Sequence, residues 1–297
     1  MQKRLFLLLI LAGFTFLPAV SQNPGIPETE LRLQALASEI LNHPSLEHKK
    51  ARNREFAELL IQTLSRPESY SYPFDSLKTL SILKADDGSF RLFTWHIADK
   101  KDPDANYGDE VFYYFGLVQR KYEVPGQETE YIVIPLLNMG EIPTGIENML
   151  LDNTNWLGGQ YYPARYHENI PSASYKYYDP KQRTTSGKIK KEKIKYYILF
   201  GWNGMDNRSN LKFVDVMSFD PKQKDRVIFG ANVFYFDRNI PKYRALFKYS
   251  EYAPFSLNYS YVKEGISKKK MIVYDHLASP KPGDRKLTEI WEMGPDG

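Results

Sequence analysis

Lys195–Phe236 reads KYYILFGWNGMDNRSNLKFVDVMSFDPKQKDRVIFGANVFYF. Two apolar runs, Tyr196–Trp202 and Leu211–Phe219, flank a polar loop, and a third run follows a second polar loop. Runs of Tyr, Phe, Ile and Val bounded by Asn, Gly, Asp and Pro predict strand, hairpin, strand, loop, strand. The first loop, Asn203–Asn210, is the densest cluster of turn-forming and oxygen-bearing side chains in the chain.

The same habit extends in both directions. Leu77–Leu83, Phe90–Ile97, Val111–Val118, Tyr131–Leu137 and Trp156–Tyr162 read as strands before the meander, and Tyr243–Tyr249, Phe255–Val262 and Met271–Leu277 after it. Asp86-Asp87-Gly88 is a hairpin turn between the first two. Phe90–Ile97 is apolar on both faces, which predicts a central strand covered on both sides. A short helix is expected around Ile146–Leu151. The chain contains 22 Tyr and 17 Phe, residues that pack well on a pleated surface.

Only the N-terminal part has helical period. Leu33, Leu36, Ala37, Ile40 and Leu41 share one face, and His43-Pro44 ends that helix. Ser45 is placed to cap a second helix, with Phe56, Leu59, Leu60, Thr63 and Leu64 as its stripe and Arg66-Pro67 as its stop. No crossover helices follow Ser65, so parallel pairing is excluded as the main plan. The expectation is a mainly β protein, an antiparallel meander or sandwich-like body preceded by an α-helical hairpin. No fixed-period repeat is visible, which leaves a degenerate β-propeller as the alternative.

Met1–Arg4 is a basic n-region, Leu5–Leu17 an apolar h-region, and Ala19-Val20-Ser21 a run of small residues suited to signal peptidase. The expected organisation is a signal peptide over 1–21, the helical hairpin over 22–70 and the β domain over 71–297. The Pro295-Asp296-Gly297 turn, with no strand after it, suggests a β domain that continues further. Loss of Lys3 and Arg4 with the leader lowers the formal net charge from +4 to +2. That balance gives no reason to expect nucleic acid as a partner, and no later apolar run is long enough to span a bilayer. The expected location is periplasmic or secreted.

The sequence contains no Cys, which excludes disulfides, thiol nucleophiles and Cys metal sites. There is no Gly-x-Ser-x-Gly elbow and no His-Glu-x-x-His helix, and no cofactor motif. Asn203, Asp206, Asn207 and Asn210 offer oxygens, but one carboxylate is few for calcium, and such residues serve tight turns. Trp202 with Trp156, Tyr161 and Tyr162 suggests an aromatic platform for a saccharide, against the simpler reading of core packing. The candidate ligand-binding residues are therefore Trp202, Asn203, Asp206, Asn207, Asn210 and Trp156. A glycosidase would need two facing carboxylates, for which Asp109, Glu110, Asp215 and Asp220 are available. Asp215 shares a strand face with Leu211, Phe213, Met217 and Phe219, where a carboxylate requires an Arg or a backbone amide. The Lys-rich stretch Asp179–Lys195 reads as a solubilising hairpin tip.

Tyr72–Leu77, Asp86–Trp95, Tyr196–Asp220 around Gly201-Trp202-Asn203-Gly204, and Met271–Leu277 resemble an uncharacterised secreted protein family of Bacteroidetes-type bacteria. The resemblance implies export and a shared β fold and supplies no catalytic residues. The expected function is a non-enzymatic binding or interaction module of the cell envelope, with a saccharide or an envelope protein as partner. The alternative is a carbohydrate-active hydrolase using paired carboxylates.

Overall fold

A computed structural model describes residues 24–100, 110–164, 169–183, 189–206, 209–237, 240–264 and 267–275. The expected leader (1–21) and the C-terminal turn at Pro295 lie outside the described residues. Among the described residues no helix is long and apolar enough to cross a membrane.

Helices α1 (Ile26–Asn42) and α2 (Leu46–Leu64) form the hairpin, and the Ser45 hydroxyl accepts the His48 N–H as the N-cap of α2. A 3-10 turn at Pro67–Ser71 leads into the first sheet. That sheet is an antiparallel meander of β1 (Ser81–Lys84), β2 (Phe90–Lys100), β3 (Glu110–Tyr122) and β4 (Glu130–Leu136), in that order. The turn between β1 and β2 is Asp86-Asp87-Gly88, where Gly88 takes φ +68°, and the Asp87 carboxylate accepts the Ser89 N–H and hydroxyl.

After a 3-10 turn at Ile146–Asn148, shorter than the helix expected there, the second sheet begins. Its strands are β5 (Leu151–Asp152), β6 (Gln160–Tyr162), β7 (Ser172–Arg183), β8 (Ile189–Asp206), β9 (Ser209–Phe219) and β10 (Val227–Phe229). Two small strands, β11 (Phe234–Asp237) and β12 (Ile240–Lys242), pair with each other. β13 (Ala245–Ser250) joins β9, and β14 (Leu257–Glu264) pairs with β15 (Ser267–Tyr274). In the second sheet the order is β5-β10-β9-β8-β6, with β7 also on β8.

Alternation along the strands sorts side chains into layers. From β2, Phe93, Trp95 and Ile97 face the helices and pack with Leu33, Phe56 and Leu60. The intervening Phe90 and Leu92 face the second sheet, with Tyr114, Val118, Tyr197, Leu199, Phe213 and Met217. The far side of the second sheet, through Phe200, Val214 and Ala245, meets Phe255 and Leu257, with Tyr259 and Ile272 against them. The covering of β2 on both sides is thus one helical layer and one sheet. The protein is mainly β and antiparallel with an N-terminal helical hairpin, and its described residues form neither a closed barrel nor a propeller.

Buried polar groups bind the helical layer to the first sheet. Arg91 donates to the Gln119 carbonyl at 2.9 Å, to Tyr72 O at 2.6 Å and to Ser69 O at 2.7 Å. The Gln119 amide in turn donates to Leu64 O at 2.7 Å, closing the last turn of α2. Trp95 donates its indole N–H to Asn53 at 2.7 Å.

A candidate binding groove between two sheet edges

β1 and β6 lie beside each other where the rims of the two sheets meet, and the Tyr161 N–H bonds the Thr94 hydroxyl at 3.1 Å. An open groove of about 990 Å³ runs between them, lined by Leu80–Leu83 on one wall and by Gln160, Tyr162–Ala164 and Trp202 on the other, with Tyr161 behind. Its volume is at the upper end of ordinary ligand pockets.

The first wall is a sheet edge. Ala85 N–H bonds Phe90 O, so alternate residues Leu83 and Ser81 also direct their backbone groups to β2. The N–H and C=O of Ile82 point the other way, into the groove, and no described residue pairs with them. One step further on, the edge is occupied. Ile170 N–H bonds Lys84 O at 2.7 Å and Asp86 N–H bonds Ile170 O at 2.9 Å, a parallel bridge. Pro171 O then accepts Ile198 N–H, so residues 170–171 tie β1 to β8 and close that end of the groove.

The second wall carries fixed aromatic rings. Tyr162 donates its hydroxyl to Leu257 O at 3.2 Å. Trp202 sits 5.2 Å from Phe112, 5.9 Å from His96 and 6.5 Å from Tyr114, ring centre to ring centre. Gln160 pairs with Trp202 across β6 and β8. Burial holds the His96 pKa below its ordinary value, with Gln160 and Glu110 pulling it back upward, and its Nδ1 is buried without a partner. The described residues of the lining include two polar side chains, Ser81 and Gln160, and none of them is a carboxylate.

The residues expected at a site divide sharply. Trp202 lines the groove, half-buried. Trp156 does not: it is 0% exposed in the core between the sheets and donates its indole N–H to the Tyr161 hydroxyl, so it presents no face to a ligand. The Asn203–Asn210 loop is largely strand, because β8 runs to Asp206 and β9 starts at Ser209, with a bulge between Asn203 and Asp206. Asn203 is buried and donates its side-chain amide to Gly158 O at 3.1 Å, a structural tie to the turn before β6. Asn210 is half-buried and pairs with Tyr249 of β13. Asn207 and the Asp206 side chain lie outside the described residues. No group of metal-binding side chains occurs among the described residues.

Asp215 is fully buried, and one of its oxygens meets both an arginine and a backbone amide while Oδ2 is buried without a partner. Its Oδ1 accepts the Val216 N–H at 2.9 Å and lies 3.4 Å from Arg244 Nε. Arg244, equally buried, donates to Ile146 O, to Met149 O at 2.8 Å and to Phe229 O at 3.2 Å. Burial raises the Asp215 pKa, and Arg244 and the Val216 amide pull it down again. Asp220 is paired with Arg226 at 3.4 Å and accepts the N–H groups of Lys222 and Gln223. Asp109 lies outside the described residues.

Sequence patterning missed β1 and Gln160 as groove walls. The signal available was a short strand, Ser81–Lys84, ending in a charged residue before a tight turn, which is how an edge strand reads. No protein family, curated protein or solved structure matches the chain.

Proposed function

We propose that the chain is an exported, non-enzymatic binding module of the cell envelope, and that the groove between β1 and β6 takes its ligand. The observation that carries this reading is a preformed groove with apolar and aromatic walls, one of whose rings, Tyr162, is held at its hydroxyl by Leu257 O. Preorganised walls reduce the ordering cost of binding. The hydrolase reading draws less support, since no described residue of the lining is a carboxylate and both Asp215 and Asp220 are committed to arginines. Export rests on the basic and apolar leader and on the likeness to secreted Bacteroidetes-type proteins.

The test is a paired screen of the purified chain and its Trp202→Ala variant against a polysaccharide array and a peptide array, with reducing-sugar release measured in parallel. Binding that is lost in Trp202→Ala without turnover supports the module. Turnover of any polysaccharide overturns it, and so does binding that the substitution leaves intact.

A further inference from the structure

We propose that one face of the two-stranded ribbon formed by β7 and the first part of β8 docks an acidic polysaccharide, at a place separate from the groove. Among the described strands, residues 189–196 of β8 pair with β7 alone, since β9 joins β8 only from Tyr197 and β6 joins it only at residues 200–202. Residues directly opposite in an antiparallel pair share a face, and successive pairs alternate between faces. One face takes the pairs Ser174–Lys195, Lys176–Lys193 and Tyr178–Lys191. The other takes Ala173–Tyr196, Tyr175–Ile194 and Tyr177–Glu192. Every lysine of these six pairs therefore falls on one face, and the single acid falls on the other.

Solubility alone does not ask for this arrangement. A surface of mixed sign keeps a strand soluble, whereas Lys176 directly opposite Lys193 destabilises the pairing, in a ribbon of two strands that has little stability of its own. An anion between the two rows turns that repulsion into attraction. Residues 172–197 hold eight basic and two acidic residues, a net +6 in a chain whose formal total is +4, so the remainder of the chain sums to −2. Lys195 is ion-paired with Asp87 at the base of the ribbon, so the docking role falls to Lys176, Lys191 and Lys193. Lys191, Lys193 and Lys195 recur at every second residue of β8, about 7 Å apart along the strand. A line of evenly spaced cations matches a linear polyanion better than the plane of a bilayer, and an exported chain meets acidic polysaccharide before nucleic acid.

The probes are polygalacturonate and dextran sulfate, with neutral dextran and phosphatidylglycerol vesicles beside them, each added to the full chain at low and at physiological salt. The variant K176Q/K191Q/K193Q is compared with K78Q/K84Q/K222Q, which removes the same charge from exposed positions elsewhere. Binding of the acidic polymers, weakened by salt and absent for neutral dextran, is the expected result. The ribbon variant should lose affinity about tenfold, the combined effect of three screened ion pairs, and the control variant much less. It should also unfold at an equal or higher urea midpoint, because the Lys176–Lys193 repulsion is gone. A lower midpoint would assign these lysines to the fold and overturn the proposal. An equal loss of affinity in both variants, which is the effect of net charge alone, overturns it too, as does binding of neither polymer. Vesicles bound in preference to the polymers make the face a membrane contact and exclude the polysaccharide. Trp202→Ala, which alters the groove, should leave polymer binding unchanged, so failure of the groove and failure of the ribbon are read separately.

Discussion

Arg244 replaces the water that four acceptors would otherwise need: the carbonyls of Ile146, Met149 and Phe229 and the Asp215 carboxylate. Removing one member of a buried charge pair costs more than the pair contributes, because the other charge stays buried. Arg244→Met is therefore expected to lower unfolding stability by about 3–5 kcal/mol in urea titration. Asp215→Asn leaves the Arg244 charge buried as well, but three carbonyls still hold that guanidinium, so it should destabilise by less than Arg244→Met. At the protein surface Asp87 behaves differently. Burial alone would raise its pKa, but Lys195, Ser89 and Tyr197 outweigh that and hold it at about 2, from an ordinary 3.8. A carboxylate with a depressed folded-state pKa contributes stability that is complete above the ordinary value and lost as pH falls towards the depressed one. The stability difference between the native chain and Asp87→Asn should thus shrink between about pH 4 and pH 2, measured by chemical denaturation at each pH. Alternation made the need at Asp215 legible in the sequence. It did not reveal Arg244, which lies 29 residues away in the bend just before β13. Trp156 and Trp202 looked alike in sequence because composition carries no burial; only the pairing of β6 with β8 separates them.

At the scale of elements, the helical hairpin was the most legible part, because a capping Ser, two Pro stops and a 3.6-residue period all agree. The β8–β9 hairpin was legible in kind but not in extent. Oxygen-rich residues around Gly204 resemble a loop, yet Asn203 is fixed by Gly158 and the bulge lets pairing continue to Asp206. Glycine there serves approach, not turning. A Cβ on Gly201 would lie 2.2 Å from Cζ of Phe213, whose ring packs flat over the strand. Gly201→Ala should cost about 1–3 kcal/mol, the usual effect of overpacking, visible as a lower denaturation midpoint at unchanged slope. Restoring room with a second change, Phe213→Leu, should recover part of the loss.

For the whole molecule, helices, first sheet, second sheet and the β14–β15 hairpin are stacked so that each inner layer is covered twice. The two apolar faces of Phe90–Ile97 announced double covering in the sequence. What covers each face was not readable, because it depends on contacts across a hundred residues. The groove was invisible for the same reason: it is a mismatch between two edges, not a motif. A chain lacking residues 24–66 would bare Phe93, Trp95, Ile97 and Leu117 together. Such a chain is expected to bind a hydrophobic dye and to self-associate, read by fluorescence and light scattering.

The helices and the first sheet are contiguous from Ile26 to Leu136, and the second sheet begins only at Leu151. A polypeptide made from its N-terminus can therefore assemble the first two layers from near neighbours, which is the fast kind of contact. The face bearing Phe90, Leu92 and Val118 must then wait wet until β8 and β9, some hundred residues later, have been synthesised. The order of synthesis gives this fold a vulnerable interval, in which a half-built sheet has one dry side and one sticky side.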